Sequence, residues 1–434
     1  MRPVSSWGRL SRDLHEVVDL DEAGSAGKRI AESRQPGLPF GNGRSYGDVC
    51  LNAGGILWAT RGLDRFLAFD DRTGVIECEA GVTLKEVIDV ALPRGWFPAV
   101  TPGTQWVTVG GAVANDVHGK NHHRNGCFGD HVESLTLLRT DGSRIVCGPG
   151  LEPEWFRATV GGLGLTGLVL AARFRLRPVA GPWIECERHA FQSLEQFFAL
   201  SDASIQEWEY TVSWIDCGSL REGEPRGIFF AGNHVGSGEE APTRPSRRVP
   251  FTPPMPLVNR LSMRAFNALY YRVNRAGPER STKHYQPFFY PLDTLLDWNR
   301  LYGPRGFYQF QCVVPTANQE AAVRELLQAI AGSGQGSFLS VLKTFGARPA
   351  AGMLSFPMAG TTLALDFPNL GPTTLALLQH LCAIVDAADG RVYPAKDAFM
   401  PAGLLLHGYP EWQDFSHFRD PGISSQMSRR LVGH

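Results

Sequence analysis

Glycine is concentrated where it constrains the fold most. Three glycine-dense segments, 41–48, 101–123 and 161–167, all lie in the first part of the chain. Glycine without a Cβ permits tight turns and close backbone approach, so successive N–H groups in such loops can converge on an anion. The first segment is Gly41, Asn42, Gly43, Arg44, Ser45, Tyr46, Gly47 and Asp48. It is not a phosphate loop of the Gly-Lys-Ser/Thr kind. Its spacing is GxGxxxG with no strand–helix unit around it, so it is not the dinucleotide fingerprint either.

The other two segments add small residues and a cluster of cations. Thr101, Pro102, Gly103 and Thr104 precede Thr108, Val109, Gly110, Gly111, Asn115, Asp116, His118, Lys120, His122 and His123. Here a large flat ligand can approach the backbone. The H-x3-HH spacing lies on a glycine-interrupted loop with no cysteine or carboxylate partner, so no metal is expected. His122 and His123 read equally well as satisfying local backbone groups. The third segment is Thr159-Val160-Gly161-Gly162-Leu163-Gly164-Leu165-Thr166-Gly167, and near the C-terminus stands Tyr393-Pro394-Ala395-Lys396-Asp397.

Around these motifs the chain reads as α+β. Segments 54–60, 74–80 and 132–147 are predicted strands, the last folding back at 139–143, where Asp141-Gly142 suits a hairpin. Segment 84–92 is a predicted helix with Thr83 as N-cap. Further on, 210–215, 307–314 and 362–367 are predicted strands, and 318–331 and 372–388 helices. The 48 glycines and 30 prolines make about 18% of the 434 residues, below the roughly 25–30% of low-complexity chains.

Charge and cysteine usage narrow the function. The 42 basic and 43 acidic residues balance to −1, which argues against non-specific nucleic-acid binding. Eight scattered cysteines without a CxxC suggest reduced thiols in a cytoplasmic protein. Residues 1–13 lack an apolar run, so no signal peptide is expected. Segment 241–285 departs from the balance, with nine basic residues and one acidic, Glu279. Its Pro-rich part, 241–256, reads as a mobile loop. Beyond it, Val258, Leu261, Ala265, Phe266, Leu269 and Val273 are spaced helically. Such a helix either packs on the core with a solvated basic face or lies on an anionic membrane surface.

Taken in order, GNGRSYGD, TPGT, VGGAVANDVHGKNHH, TVGGLGLTG and YPAKD resemble flavoproteins of the vanillyl-alcohol-oxidase type. More closely, they resemble the decaprenylphosphoryl-β-D-ribose 2-oxidase family, over nearly the whole chain. HGKNHH is the most specific piece. The resemblance implies an FAD-binding domain at 1–180, completed by 390–434, and a substrate domain at 181–389 built on an antiparallel sheet flanked by helices. FAD contacts would come from residues 41–48, Gly103, Thr108 to Gly111, Asn115, Asp116, His118, Gly167 and Tyr393. Lys396, with Tyr46 and His118, would act at the reacting hydroxyl, and Lys396 is read as either base or charge stabiliser. Lys343, Gln309, Gln311, Lys120 and Trp214 would contact substrate, although Gln309 and Gln311 alone read also as a solvated stripe and Trp214 as an ordinary buried aromatic.

The implied activity is oxidation of C2 of a polyprenyl-phosphoryl-ribose. It would be the first half of an epimerisation to the arabinose form in cell-wall biosynthesis, completed by a separate NAD-dependent ketoreductase. The enzyme would be cytoplasmic, peripheral at the inner membrane. A soluble sugar, alditol or aldonolactone oxidase using O2 and a flavin-binding protein without turnover are the competing readings. Arg44 stands where related sugar-lactone oxidases carry a flavin-linked histidine, which implies dissociable FAD. Ala364 stands where mycobacterial members carry a cysteine, which implies an altered pocket floor.

Overall fold

The computed structural model describes residues 1–33, 36–218, 220, 223–237, 246–277 and 279–433. Three sheets carry the architecture. The smallest runs Arg2–Pro3, Leu14–Asp19, Ile56–Ala59, Gly37–Phe40, and its last three strands are parallel. A six-stranded antiparallel sheet follows, ordered Phe66–Asp70, Val75–Glu79, Leu168–Pro178, Val132–Leu138, Arg144–Cys147, with Trp96–Pro98 added to the long central strand. An eight-stranded antiparallel sheet forms the remainder. Its order is Arg280–His284, Trp183–Phe191, Gly227–Val235, Tyr210–Ile215, Val341–Phe345, Gly360–Pro368, Phe307–Pro315, Arg391–Val392. This is the expected α+β architecture, with helices Gln319–Ser333 and Pro372–Ala387 packed on strand Phe307–Pro315.

Local rules explain the predicted elements. Helix Leu84–Ala91 is opened by Thr83, whose side chain accepts from the Glu86 N–H while Glu86 reaches back, a capping box. The hairpin between Val132–Leu138 and Arg144–Cys147 turns at Gly142, held at φ +88°, a conformation open to glycine. Period-two alternation sorts the strand Phe307–Pro315: Phe310 and Cys312 lie in the apolar core under the helices, while Gln309 and Gln311 face the other way, into a cavity.

The chain's end returns to its beginning. Gly37 pairs with Ile423 in an isolated bridge, and the Gly37 N–H donates to the Gly422 carbonyl at 3.0 Å. One apolar core runs from Leu57 and Trp58 of the small sheet through Met427 and Leu431 of the C-terminal helix to Leu377 and Leu381 beneath the large sheet.

Segment 241–285 differs from the packed alternative. Residues 241–245, with Arg244, lie outside the described residues; beyond them Arg247–Arg248 is a short strand paired with Leu295–Leu296. Helix Arg260–Ala276 buries Met263, Asn267 and Tyr271. Of the apolar residues that define its sequence pattern, Val258 is buried just ahead of the helix, while Leu261, Ala265, Phe266, Leu269 and Val273 are exposed. Polar pairing explains the inversion: the Asn267 amide donates to Asp216 Oδ1 at 2.9 Å, anchoring that side of the helix to the sheet.

Candidate functional site

A cavity of about 450 Å3 lies between the glycine loops and the large sheet, within the range of about 300–1,000 Å3 usual for ligand pockets. Two close approaches build its loop side. A Cβ on Gly41 would collide with Thr108 Oγ1, and one on Gly47 with the Asp397 carbonyl. Glycine at these points lets segment 41–48 lie against both the tail and the turn where Thr108 caps helix Val109–Ala114. Asn42 Nδ2 donates to the Trp106 carbonyl at 2.8 Å, and the Tyr46 N–H donates to the Ala395 carbonyl at 3.2 Å.

The tail segment spans both sides. Tyr393 N–H donates to the Gln311 carbonyl at 2.8 Å, and its hydroxyl donates to the Asn115 carbonyl at 2.9 Å. Asp397 turns away from Lys396 and accepts from the N–H groups of Phe399 and Met400. Arg430 joins Asp397 to Asp48, with 2.8 Å contacts to each carboxylate. Lys396 is thereby left facing the cavity, its Nζ 4.6 Å from the centre of the Tyr46 ring.

Three adjacent strands make the floor. Gln311 pairs with Ala364, which pairs with Val341; Thr362 pairs with Lys343; Gln309 pairs with Asp366. Gln309 Nε2 donates to Asp366 Oδ1 at 2.6 Å, and the Tyr302 hydroxyl donates to Oδ2 at 3.3 Å. Lys343 Nζ donates to the Gly119 carbonyl at 2.9 Å and lies 3.0 Å from His118 Nδ1; Gln311 Nε2 lies 3.0 Å from His118 Nε2. Phe345, Phe356 and Tyr393 surround the imidazole.

Burial sets the charges. Desolvation lowers the Lys396 amine to about 8, against the opposing pull of Asp366. Lys120 is also lowered to about 8 by burial. Lys343 falls well below the usual lysine range, through burial first and then the positive charges of Lys120 and Lys396. His118 is held neutral by burial and by Lys343. Asp366 is pushed up to about 6 by burial, opposed by the Gln309 hydrogen bond and Lys396. Three lysines therefore share one desolvated space with the buried Asp366 carboxylate beneath them, and among the lining residues these lysines with Arg44 and Arg248 outnumber the carboxylates Asp293 and Asp297. Such a cluster favours an anionic ligand.

Most of the predicted site residues converge here. Gly41, Asn42, Gly43, Arg44, Ser45, Tyr46, Gly103, Thr108, Gly110, Gly111, Asn115, His118, Lys120, Gly167, Gln309, Gln311, Lys343, Tyr393 and Lys396 all line the cavity. Gly47, Asp48, Val109, Asp116 and Trp214 do not. Val109 packs in the core behind the turn. Asp116 is fully buried and accepts from the Ser355 hydroxyl (2.5 Å) and the Gly129 N–H (2.8 Å), which fixes the loop from behind. Trp214 sits one pair beyond Val212 on the same strand face, covered by Tyr270 and Tyr271 of the exposed helix, with its Nε1–H on the Phe338 carbonyl at 3.0 Å. His122 and His123 serve local backbone: His122 Nδ1 accepts from the Gly346 N–H, and His123 Nε2 meets the Trp208 carbonyl. Asp366 and Thr362 were not anticipated, although alternation from Ala364 places both on the floor face.

The loop side fits a nucleotide cofactor. Arg44 Nε, Trp106 Nε1 and Asn115 Oδ1 are buried side-chain atoms without a hydrogen-bond partner, and all three residues line the cavity. A ligand bearing phosphate and ring heteroatoms would satisfy them. Gly103 and Gly164 also line it, and a Cβ on either would meet only open space.

Comparison with known proteins agrees. Residues 16–148 match the FAD binding domain family model. The chain is 33% identical to decaprenylphosphoryl-beta-D-ribose oxidase of Mycolicibacterium smegmatis, over 99% of this chain and 97% of that one. It is 34% identical to an uncharacterised Streptomyces coelicolor protein, over 81% of this chain and 100% of that one. Cytokinin dehydrogenase 10 of Oryza sativa is 31% identical over 28% of this chain and 22% of its own length.

Proposed function

Because the chain belongs to the decaprenylphosphoryl-β-D-ribose oxidase family of FAD-binding oxidoreductases, we propose that it oxidises the C2 hydroxyl of a polyprenyl-phosphoryl-ribose to a ketone. FAD, held without a covalent link, supplies the hydride acceptor. Residues 41–46, Thr108, Gly110, Gly111 and Asn115 hold it. Lys343 and Lys120 receive the substrate phosphate, and Gln309 and Gln311 orient the sugar hydroxyls through amide hydrogen bonds. His118, neutral between Lys343 and Gln311, keeps both in place.

Lys396 is the group that takes the hydroxyl proton. With its amine lowered to about 8, a useful fraction is neutral near physiological pH, as a general base requires. Once protonated, the ammonium becomes the counter-charge where electrons accumulate, so base and charge stabiliser are successive states of one side chain. The ketone product then passes to a separate NAD-dependent ketoreductase, whose reduction from the opposite face gives the arabinose form.

The observation that carries this reading is the lysine cluster above the glutamine floor: it calls for an anion next to polar sugar groups. Anaerobic mixing with a short-chain prenyl-phosphoryl-ribose should bleach the flavin, whereas ribose and alditols lacking phosphate should not. Equal bleaching by an unphosphorylated alditol or lactone would favour a soluble oxidase instead. Lys396→Met should slow bleaching by about 10²–10⁴ while retaining bound flavin. Lys343→Gln should raise KM at least about tenfold, because an arriving phosphate would favour the ammonium that burial disfavours in the free site and so form one charge-assisted hydrogen bond that glutamine lacks.

A further inference from the structure

Exposed large apolar side chains are unevenly distributed. Of fifteen among the described residues, seven fall between 251 and 273; the rest are scattered, so this one stretch requires its own account. Phe251, Met255 and Leu257 precede the helix Arg260–Ala276. On the helix, Leu261 is 79% exposed, Leu269 62% and Val273 58%. At 100° per residue, Leu261, Ala265, Leu269 and Val273 form one outward stripe with Arg272 within it, while Arg264 and Arg275 run along its flank and Arg260 opens the helix beside them. From 246 to 276 there are six arginines and no acidic residue. None of Arg260, Arg264, Arg272 and Arg275 forms an ion pair among the described residues.

We infer that this face docks on the headgroup layer of an anionic lipid bilayer. An amphipathic helix with an arginine flank and an exposed Leu/Phe/Val stripe has the chemistry to lie in that plane, burying the apolar side chains between acyl chains and pairing guanidinium groups with lipid phosphates. Its anchorage to the body is firm: Asn259 caps the helix, and Met263, Asn267 and Tyr271 fix the inner side. No helix among the described residues is long and apolar enough to cross a membrane, so the contact is peripheral.

The surface also borders the catalytic cavity. Phe266 meets Phe338 at 4.9 Å between ring centres, and Leu339, the next residue, lines the cavity. Arg248 and Leu295 to Trp298, from the strand pair beside the apolar stretch, line it as well. A lipid-borne substrate could thus present its phosphate and sugar to the cavity while its tail stays in the bilayer. That connection rests on the proposed function above, whereas the docking surface rests on its own observations.

Sedimentation of the full-length holoprotein with vesicles tests it. Vesicles of phosphatidylcholine plus phosphatidylglycerol should carry the protein down, and phosphatidylcholine alone far less. Raising the salt should release it, since the arginine contribution is screened. The R260Q/R264Q/R272Q variant should lose about a hundredfold in partition, at roughly a factor of five per arginine. The L261S/L269S/V273S variant should lose binding already at low salt, where the arginine contribution is intact. Both variants should still bleach normally with a water-soluble short-chain substrate.

Absence of binding to anionic vesicles, or unchanged binding in both variants, overturns the inference. So does a concentration-dependent dimer in light scattering that the serine variant abolishes, because a second copy would then be the occupant. Vesicle binding by a protein whose flavin no sugar phosphate bleaches would leave the docking surface standing and remove the catalytic reading.

Discussion

Asp366 decides how Lys396 behaves. Its carboxylate is fully buried, and its negative charge is what opposes the desolvation of the lysine. Between about 6 and about 8 the pair is carboxylate plus ammonium, from the two shifted values. Above about 8 the neutral amine dominates, so a step needing that amine accelerates as pH rises through 8 and then levels off. Asp366→Asn removes the charge and retains an oxygen for Gln309. With its counter-charge gone, the ammonium is less favoured, and the midpoint should move to lower pH by about one unit. Single-turnover reduction rates measured across pH will show it. An unmoved midpoint, or one displaced upward, would mean Lys396 is not the titrating base. Asp366 was within reach of the sequence: it stands two residues from Ala364 on a recognised strand. What the sequence did not supply is the pairing that brings Gln309 opposite it.

At the level of elements, legibility followed range. Helix Leu84–Ala91 and the hairpin at Gly142 are specified by neighbours within a few residues, and both were readable from Thr83 and from Asp141-Gly142. The row Gln311, Ala364, Val341 joins three strands distant in sequence, and no local signal fixes that register. The exposed helix shows the opposite limit: spacing identified its apolar stripe, but only the fold, with Met263 and Tyr271 buried and Asn267 bonded to Asp216, shows which side faces the body. The tail's position depends on Arg430, whose guanidinium serves both Asp48 and Asp397. Asp397 is nearly fully buried, and stranding it should be expensive. Arg430→Gln should cost about 3 kcal/mol of stability, read from the denaturant midpoint at unchanged slope. It should also loosen flavin, because segment 41–48 loses its side-chain tie to the tail and keeps only the Tyr46 N–H to Ala395 carbonyl bond among those described above. A variant with wild-type stability would show the ion pair to be incidental.

Across the whole molecule, the cavity lies where loops from the first part of the chain, the floor of the large sheet and the returning tail meet. Motif order along the sequence announced the loop side, and the family resemblance implied that Lys120, Lys343 and Lys396 would join it; what only the fold supplies is the desolvated space that the three share. A cofactor bound at such a junction holds all three parts together, so its binding energy adds to folding. At free FAD of a hundred times Kd, the gain is about 2.7 kcal/mol. Reconstituting the apoprotein with increasing FAD should therefore raise the melting temperature progressively. The same experiment addresses attachment. Position 44 carries a guanidinium stacked 4.4 Å above the Trp7 ring, and a guanidinium that stays protonated at all ordinary pH is a poor nucleophile toward the flavin ring. Guanidinium chloride should then release all the yellow colour through a filter that retains the chain, and the melting gain should vanish with it. Colour retained on the denatured polypeptide would place a covalent link elsewhere, and would make the melting temperature insensitive to added FAD.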